Sequence, residues 1–406
     1  ERAEDIPHMI GRALSISTSG RPGPVVLAVP DNVQFTEIAV SRILPARRPG
    51  MAPSGACMDK VAVLLSESKK PLVLLGGTGW DQAACDDLAT FAAAWDLPVS
   101  TTFRRNDLID FNHPSYIGSF NPGPHPELVT RARDCDLLLL IGGRLSELET
   151  GRYEYLCAAD EARTVIHAAA LSDEFGETLQ PDLAVVSDVA PFNAALAELP
   201  VAAGLPDAGQ REALRSSFLA YTRPVDFGDK MNPGNGVKAL QSVLPDKAII
   251  CVGAGNYTHF VLRHHKFEAQ GTLLAPLSAP MGYSVPAAVA AAMENPQQEV
   301  VAYVGDGCFL MNPQELLVAA KRNLKLTVVM FNNGMYGSIK MHQEMAVSGM
   351  NVAVMLDNPD FQAMTQSMGL KTRHLTQAEA IAGAYQALRK ETQGPIFIEL
   401  ITDPDV

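Results

Sequence analysis

Apolar runs alternate with amphipathic segments along most of the chain. Short, nearly continuous apolar runs such as PLVLLGG, DCDLLLLIGGR, VVAYVG and LTVVMF predict buried strands, and DQAACDDLATFAAAWD and VPAAVAAAM have helical periodicity. Strands that are apolar on both faces and alternate with helices are typical of parallel sheets covered on both sides. The pattern therefore predicts an α/β fold with two doubly wound parallel-sheet domains, in residues 57–200 and 231–406.

Shorter segments precede and separate these two predicted domains. Residues 1–33 contain an amphipathic helix, the breaker SGRPGP and the apolar run VVLAVP, which is predicted to be a strand. One helix and one strand cannot bury a core alone, so we expect this segment to be the C-terminal end of a third domain that the chain mostly lacks. Residues 34–56 and 201–230 are rich in proline and glycine, which predicts linkers.

Composition and charge narrow the possible functions. The 406 residues carry a formal net charge of −13 at pH 7, which disfavours nucleic acids and anionic membrane surfaces as partners. No apolar run approaches the roughly 18 residues of a membrane-spanning helix, and no signal peptide is expected. The six cysteines show no CxxC pairing, so we expect reduced thiols and a cytoplasmic protein.

Two polar motifs follow neighbouring predicted strands: Gly-Asp-Gly at 305–307 and Asn-Asn-Gly at 332–334. The sequence Asn-Pro-Gln-Glu at 312–315 predicts a helix start between them with Asn312 as its N-cap, which makes the segment a βαβ unit. Asp306 and Asn333 should then lie at the same edge of a parallel sheet. Either motif alone would be an ordinary turn, but together they favour an oxygen-ligand site for Mg²⁺ or Ca²⁺, completed by an anion such as a diphosphate.

These motifs resemble the signature of thiamine-diphosphate-dependent enzymes, and GDGCFLMNPQEL…FNNGMYG is similar to the acetolactate-synthase-like branch. The resemblance covers nearly the whole chain: residues 1–33 resemble the end of the pyrimidine-binding domain, 57–200 the middle domain and 231–406 the pyrophosphate-binding domain. It implies a transferase or lyase that decarboxylates or carboligates a 2-oxo acid with thiamine diphosphate and Mg²⁺. The alternatives are a decarboxylase or lyase of an aromatic or acyl-CoA substrate and a non-catalytic cofactor-binding module.

The resemblance also implies site residues. The implied metal ligands are Asp306, the side chain of Asn333 and the backbone carbonyl of Met335. The implied cofactor contacts are Gly255, Asn256, Tyr257, Ala279, Met281, Gly307, Cys308, Tyr336, Gly337 and Ser338. Among these, Met281 would force the cofactor into a bent shape, and the carbonyl of Ala279 would accept a hydrogen bond from its aminopyrimidine.

Two positions depart from the family pattern. Gly253 stands where the family has an acid, and His342 stands where acetolactate synthases have a substrate-selecting tryptophan. His342 is either a substrate-pocket residue or a solvated helix residue. The family's catalytic glutamate lies in the pyrimidine-binding domain, so we expect it to be absent from this chain and the chain alone to be inactive. Active sites are expected at the dimer interface of a homodimer or homotetramer.

The middle domain has weaker signals. GGTGW at 76–80 lacks the last glycine of a dinucleotide-binding motif and is predicted to be a tight strand–helix turn. The segment GGRLSELETG resembles a flavin-contacting segment, but His167-Ala168-Ala169-Ala170 stand where the family usually has Asp-x-Asp, so no acid is there to bind a ribose hydroxyl. The resemblance therefore leaves FAD open as a cofactor without favouring it. The pair Arg104-Arg105 is interpreted as two solvated charges.

Overall fold

The computed structural model describes residues 2–39, 50–156, 163–201, 208–228 and 230–404. Parts of the two expected linkers (40–49, 202–207 and Asp229) and Cys157 lie outside the described residues. The chain forms two compact units, one of Glu1–Thr102 with Val129–Arg211 and one of Phe103–Leu128 with Glu212–Val406.

Strands and helices alternate along the chain. The strands are β1 (Pro71–Leu75), β2 (Val99–Thr101), β3 (Tyr116–Ser119), β4 (Leu137–Ile141), β5 (Thr164–Ala169), β6 (Leu183–Val186), β7 (Ile249–Val252), β8 (Leu273–Leu274), β9 (Val300–Gly305), β10 (Leu326–Asn332), β11 (Lys371–Leu375) and β12 (Ile396–Ile401). The helices are α1 (Ile6–Thr18), α2 (Asp31–Gln34), α3 (Gly55–Glu67), α4 (Gln82–Ala94), α5 (Pro126–Asp134), α6 (Val189–Ala197), α7 (Ala208–Tyr221), α8 (Pro233–Gln241), α9 (Tyr257–His264), α10 (Ser284–Glu294), α11 (Asp306–Phe309), α12 (Leu316–Lys321), α13 (Gly337–Ala346), α14 (Phe361–Ser367) and α15 (Ile381–Glu391).

The first unit is built on a parallel sheet in which β2, β1, β4, β5 and β6 are neighbours in that order. Every residue of β1 and β4 is buried, as expected for strands covered on both faces. The GGTGW segment is a strand–helix turn: Gly77 has a φ of 69°, and its added Cβ would lie 1.5 Å from the carbonyl oxygen of Gly142. Only glycine allows this backbone approach.

The second unit has a parallel sheet of order β11-β12-β10-β9-β7-β8. From β7 the chain continues to β8 on one side, whereas from β9 it continues to β10 on the other. The order therefore reverses between β7 and β9, and in such sheets ligands bind in the crevice at the carboxyl ends of these strands. The predicted fold class, α/β with doubly wound parallel sheets, is confirmed.

The predicted strand VVLAVP near the N-terminus is wrong. Residues 25–30 have no regular secondary structure, and Val26 is 90% exposed. Helix α1 is formed as predicted but has no buried residue, and its apolar side chains Met9, Ile10 and Leu14 are exposed. A strand needs a hydrogen-bonded neighbour, and residues 25–30 pair with no strand of the described residues.

Asn312 is at the N-cap position as predicted, but the side-chain cap expected there is absent. The helical start is present as a 3-10 turn at Pro313–Glu315 that continues into α12, but the Asn312 side chain does not cap it. Its Nδ2 atom instead donates to the carbonyl oxygen of Gly282, at 3.0 Å. The side chain thus ties two loops together, which local sequence rules do not anticipate.

Two further expectations concern membranes and thiols. Within the described residues, no helix combines the length and the apolar character needed to cross a bilayer. The thiols of Cys57, Cys85, Cys135, Cys251 and Cys308 are free, and all but Cys57 are buried.

A buried ion pair at the amino end of β9 gives a prediction about stability. Glu299 is 1% exposed, and Arg389 Nη2 lies 2.5 Å from its Oε1 atom and donates to Thr327 Oγ1 at 2.8 Å. Replacing Arg389 with alanine leaves a buried carboxylate without its cation, and should lower the free energy of unfolding by about 3–5 kcal/mol. Urea denaturation followed by circular dichroism measures the loss.

The matched control is Arg373→Ala, which removes the exposed ion pair with Glu391 in the same unit. An exposed pair contributes less than about 1 kcal/mol. Similar losses in the two variants would show that burial of Glu299 does not set the size of the effect.

Candidate functional site

A cavity opens at the carboxyl ends of β7, β9 and β10, at the reversal of strand order. The sequence-predicted residues that line it are Gly255, Asn256, Tyr257, Met281, Asp306, Gly307, Cys308, Asn333, Met335, Tyr336, Gly337 and Ser338. Ala279 is not in the lining but lies two residues before Met281, with a φ of 49°. His342 is an exposed residue of α13 and does not line the cavity.

Asp306 is the buried carboxylate of the cavity, with 2% of its surface exposed. Its Oδ1 accepts from the backbone N–H of Gly307 at 2.9 Å, and its Oδ2 accepts from the N–H of Gly334 and from Asn358 Nδ2, both at 2.8 Å. Burial raises the pKa of this carboxyl, and the hydrogen bonds oppose the shift. A nearby cation would stabilise the carboxylate further.

The Asn-Asn-Gly turn places two more oxygens at the cavity. Asn333 Oδ1 accepts from the N–H of Met335 at 3.2 Å. An antiparallel bridge joins this turn to residues 354–356 through the carbonyls of Gly334 and Val354, at 2.8 Å each. No described residue donates a hydrogen bond to the carbonyl of Met335. A carboxylate, an amide oxygen and an unused carbonyl are a donor set that fits a hard cation such as Mg²⁺.

The N-terminal ends of two helices meet the same cavity. Helix α9 begins at Tyr257 and α13 begins at Gly337, and the first residues of both line the wall. The N–H groups of Gly337 and Ser338 donate to no described residue. Free N–H groups and helix dipoles attract anions, so this wall suits a phosphate-bearing ligand without needing basic side chains.

The tyrosine ring of Tyr257 forms the floor of the cavity. It is 7% exposed and stacks on Phe331, with ring centroids 6.0 Å apart. Three glycines surround it: an added Cβ would lie 3.0 Å from its hydroxyl at Gly253 and 3.2 Å from its ring at Gly255 and Gly305. The hydroxyl also accepts from the N–H of Gly253 at 3.0 Å. The side chain of Tyr257 therefore fills the space beside Gly253 that an acid at this position would need.

The interpretation of Arg104 as a solvated charge is wrong. It is 3% exposed, and its Nη1 donates to the carbonyl of Pro276 at 2.6 Å. Burial lowers the pKa of its guanidinium, and the electrostatic influence of Tyr257 and Cys308 opposes this shift. A buried cation thus lies near the floor of the cavity, in the segment between β2 and β3.

Sequence reasoning did not predict the hydrogen bonds of three asparagines that build the site. Asn358 binds Asp306, Asn332 accepts from Asn358 Nδ2 at 3.0 Å, and Asn312 fixes the loop that carries Met281. Asn332 was visible as the first residue of Asn-Asn-Gly, but its role depends on partners distant in sequence. Asn358 lies in LDNPD, which carries no local signal beyond that of a loop.

In the first unit, the segment that resembles a flavin contact makes contacts within the protein. Arg144 Nη1 lies 3.1 Å from Glu177 Oε2, and His167 Nε2 lies 2.9 Å from the carbonyl oxygen of Gly143. Both Arg144 and His167 line the same small pocket. The polar groups of this loop are thus engaged with neighbouring residues.

Two family models match the chain. Residues 58–199 match the thiamine pyrophosphate enzyme central domain, and residues 253–400 match the thiamine pyrophosphate enzyme C-terminal TPP binding domain. The acetolactate synthase large subunit of Corynebacterium glutamicum is 30% identical over 99% of this chain, which spans 66% of that relative's length. The probable acetolactate synthase large subunit of Methanocaldococcus jannaschii is 27% identical, and this chain spans 71% of its length.

Solved structures show the same fold. The benzoylformate decarboxylase from Polynucleobacter necessarius has a TM-score of 0.83 at 20% sequence identity, covering 99% of this chain and 75% of that protein. The 4-hydroxybenzoylformate decarboxylase of Rhodococcus jostii has a TM-score of 0.76 at 20% identity, with the same coverage. At this identity the likeness supports the fold.

The packing of Gly253 against Tyr257 gives a second prediction. A methyl group at Gly253 would lie 3.0 Å from the Tyr257 hydroxyl, so Gly253→Ala should lower the free energy of unfolding by about 1–3 kcal/mol through overpacking. In a Tyr257→Phe background the hydroxyl is gone, and the same substitution should cost less. Chemical denaturation of the four proteins of this cycle measures the coupling. An equal cost in both backgrounds would contradict the contact.

Proposed function

Since the chain belongs to the family of thiamine pyrophosphate enzymes, we propose that its protein uses thiamine diphosphate and Mg²⁺ to decarboxylate or carboligate a 2-oxo acid. One observation carries this proposal. A single cavity combines a carboxylate, an amide oxygen and an unused backbone carbonyl with the N-terminal ends of α9 and α13. These are ligands for a hard cation beside donors for a diphosphate.

Each group of residues has a role in this proposal. Asp306, Asn333 and the carbonyl of Met335 hold the cation, and the N–H groups at the start of α9 and α13 hold the diphosphate. When bound, thiamine diphosphate supplies the electron sink that a 2-oxo acid needs to lose CO₂. Met281 and Ile339 add apolar surface to the cavity wall.

An acetolactate-synthase-like reaction is the first candidate, because the two relatives given above are an acetolactate synthase large subunit at 30% identity and a probable acetolactate synthase large subunit at 27% identity. A second candidate is decarboxylation of a 2-oxo acid with an aromatic or acyl-CoA group. It is favoured by the apolar side chains of Phe260, Met281 and Ile339 in the cavity, and by an exposed His342 where acetolactate synthases carry tryptophan. The product distinguishes the two candidates. The acetolactate-synthase-like reaction gives a ligated 2-hydroxy-2-methyl-3-oxo acid, whereas simple decarboxylation gives a free aldehyde.

The architecture of the whole protein is part of the proposal. The matched ranges, 58–199 and 253–400, lie inside the proposed domains at 57–200 and 231–406. We propose that the protein is a cytoplasmic homodimer or homotetramer whose sites are completed at the dimer interface. The catalytic glutamate of the family would come from the pyrimidine-binding domain, and neither nucleic acid nor membrane is a proposed partner.

Cofactor titration followed by a turnover assay tests the function. Thiamine diphosphate with Mg²⁺ should quench the intrinsic fluorescence of the full-length protein saturably, whereas either component alone should bind far more weakly. The loaded protein is then given pyruvate or benzoylformate, and CO₂ release is measured with product analysis. Cofactor binding without turnover of any 2-oxo acid, with the glutamate present, would support the non-catalytic module instead.

The role of Asp306 gives a third prediction. Asp306→Asn removes the charge that faces the cation while keeping the shape, so cofactor affinity in Mg²⁺ should fall by roughly two orders of magnitude, and CO₂ release should fall with it. The control is Asp357→Asn, which removes an exposed carboxylate from the loop that contacts the site. Equal affinities in the two variants would exclude Asp306 as a cation ligand.

A further inference from the structure

A chain of polar side chains leads from Asp306 into the sheet. Asn358 Nδ2 donates to Asp306 Oδ2 at 2.8 Å and to Asn332 Oδ1 at 3.0 Å. Asn332 Nδ2 in turn donates to Glu399 Oε1 at 2.8 Å. Glu399 lies on β12 and is 5% exposed. We call the set of Asp306, Asn358, Asn332 and Glu399 the amide relay.

The two carboxylates fix the orientation of both amides. Glu399 can only accept, so Asn332 must present its NH₂ group to Glu399 and its oxygen to Asn358. Asp306 as a carboxylate also only accepts, so both protons of the Asn358 NH₂ group are used. Flipping the Asn358 amide would turn its oxygen towards two acceptors. The hydrogen bonds therefore select one orientation.

The Glu399 end of the relay is also held by hydrogen bonds. Glu399 Oε2 accepts from Gln362 Nε2 at 3.1 Å and lies 3.0 Å from His374 Nδ1, on the neighbouring strand β11. Since Oε1 is bound to Asn332, Glu399 has hydrogen-bond partners on β10, β11 and α14. This attachment restricts the position of Asn358, which lies on a loop.

The relay reaches both sides of the proposed cation site. The Asn358 loop is joined to the Asn-Asn-Gly turn by the bridge between Met335 and Met355, and Gly334 N–H donates to the same Asp306 oxygen as Asn358. The Oδ1 atom of Asn358 is buried and has no hydrogen-bond partner in the described residues. A buried acceptor left unpaired is destabilising, and it marks a place that a donor from a bound ligand can fill.

From these contacts we propose that Asn358 is a positioning residue for the cation site. One N–H of its amide holds the Asp306 carboxylate in the orientation that binds the metal. The other donates to Asn332, and the amide relay to Glu399 thereby keeps Asn358 in place. The inference rests on the proposed function, because it assumes that Asp306 binds a cation with thiamine diphosphate. Groups that orient a metal ligand through hydrogen bonds typically change metal affinity or activity 10–100-fold when removed.

Binding of Mn²⁺ in the presence of thiamine diphosphate tests the role directly, with free Mn²⁺ measured by electron paramagnetic resonance. The variants are Asn358→Leu, which keeps the branched shape without the donors, and Asn358→Ala, which loses both. The control is Asn351→Ala, an exposed asparagine of the same interhelical segment. Thermal unfolding of each metal-free protein shows that it is folded.

We expect both Asn358 variants to bind Mn²⁺ roughly 10–100-fold more weakly than the unsubstituted protein, and Asn351→Ala to bind as tightly. If the side chain only fills space, the leucine variant will bind normally, and the inference is then wrong. If the unsubstituted protein binds no Mn²⁺ with thiamine diphosphate, the proposed function itself fails and the inference fails with it. Weaker Mn²⁺ binding in the Asn358 variants alone supports both the proposed function and the inference.

Discussion

A buried carboxylate at the end of a central strand is the constraint on which the site depends. Asp306 is 2% exposed, and burying a charge is costly unless it is paired or hydrogen-bonded. Three donors come from separate places: its own turn, the Asn-Asn-Gly turn and the loop that carries Asn358. The buried carboxylate that suits this site to a cation therefore also needs hydrogen bonds from three segments of the chain.

Glycines at this edge of the sheet allow the segments to come so close. An added Cβ would lie 2.6 Å from the Tyr336 ring at Gly307 and 3.1 Å from the Asn333 amide at Gly337. Tyr257 occupies the remaining space and is packed against Phe331. The ring of Tyr257 thus forms the cavity floor in space that is free because the neighbouring residues are glycines. The shape of the cavity therefore depends on how this ring packs.

Beside the Asp306 carboxylate, the cavity has local positive electrostatics that the net charge of the chain does not indicate. The chain carries −13, yet the cavity wall presents backbone N–H groups from α9 and α13, and Arg104 is buried near its floor. Helix N-termini and a fixed cation act over a few ångströms, whereas the overall charge is screened in solution. An acidic protein can therefore hold a diphosphate when a divalent cation accompanies it.

The alternation of apolar runs was enough to predict parallel sheets, and the two motifs were enough to predict that Asp306 and Asn333 meet, because a βαβ unit has one handedness and one open edge. The N-terminal strand, the Asn312 cap and a solvated Arg104 were predicted wrongly, because each depends on neighbours distant in sequence. The hydrogen bonds of Asn358 and Asn332 were not predicted for the same reason, because their partners are distant in sequence. Sequence by itself determined which strand ends carry the side chains proposed to bind the cation. Tertiary packing alone decided which side chains hold them in place, since a buried polar group takes whatever partner the fold brings within reach.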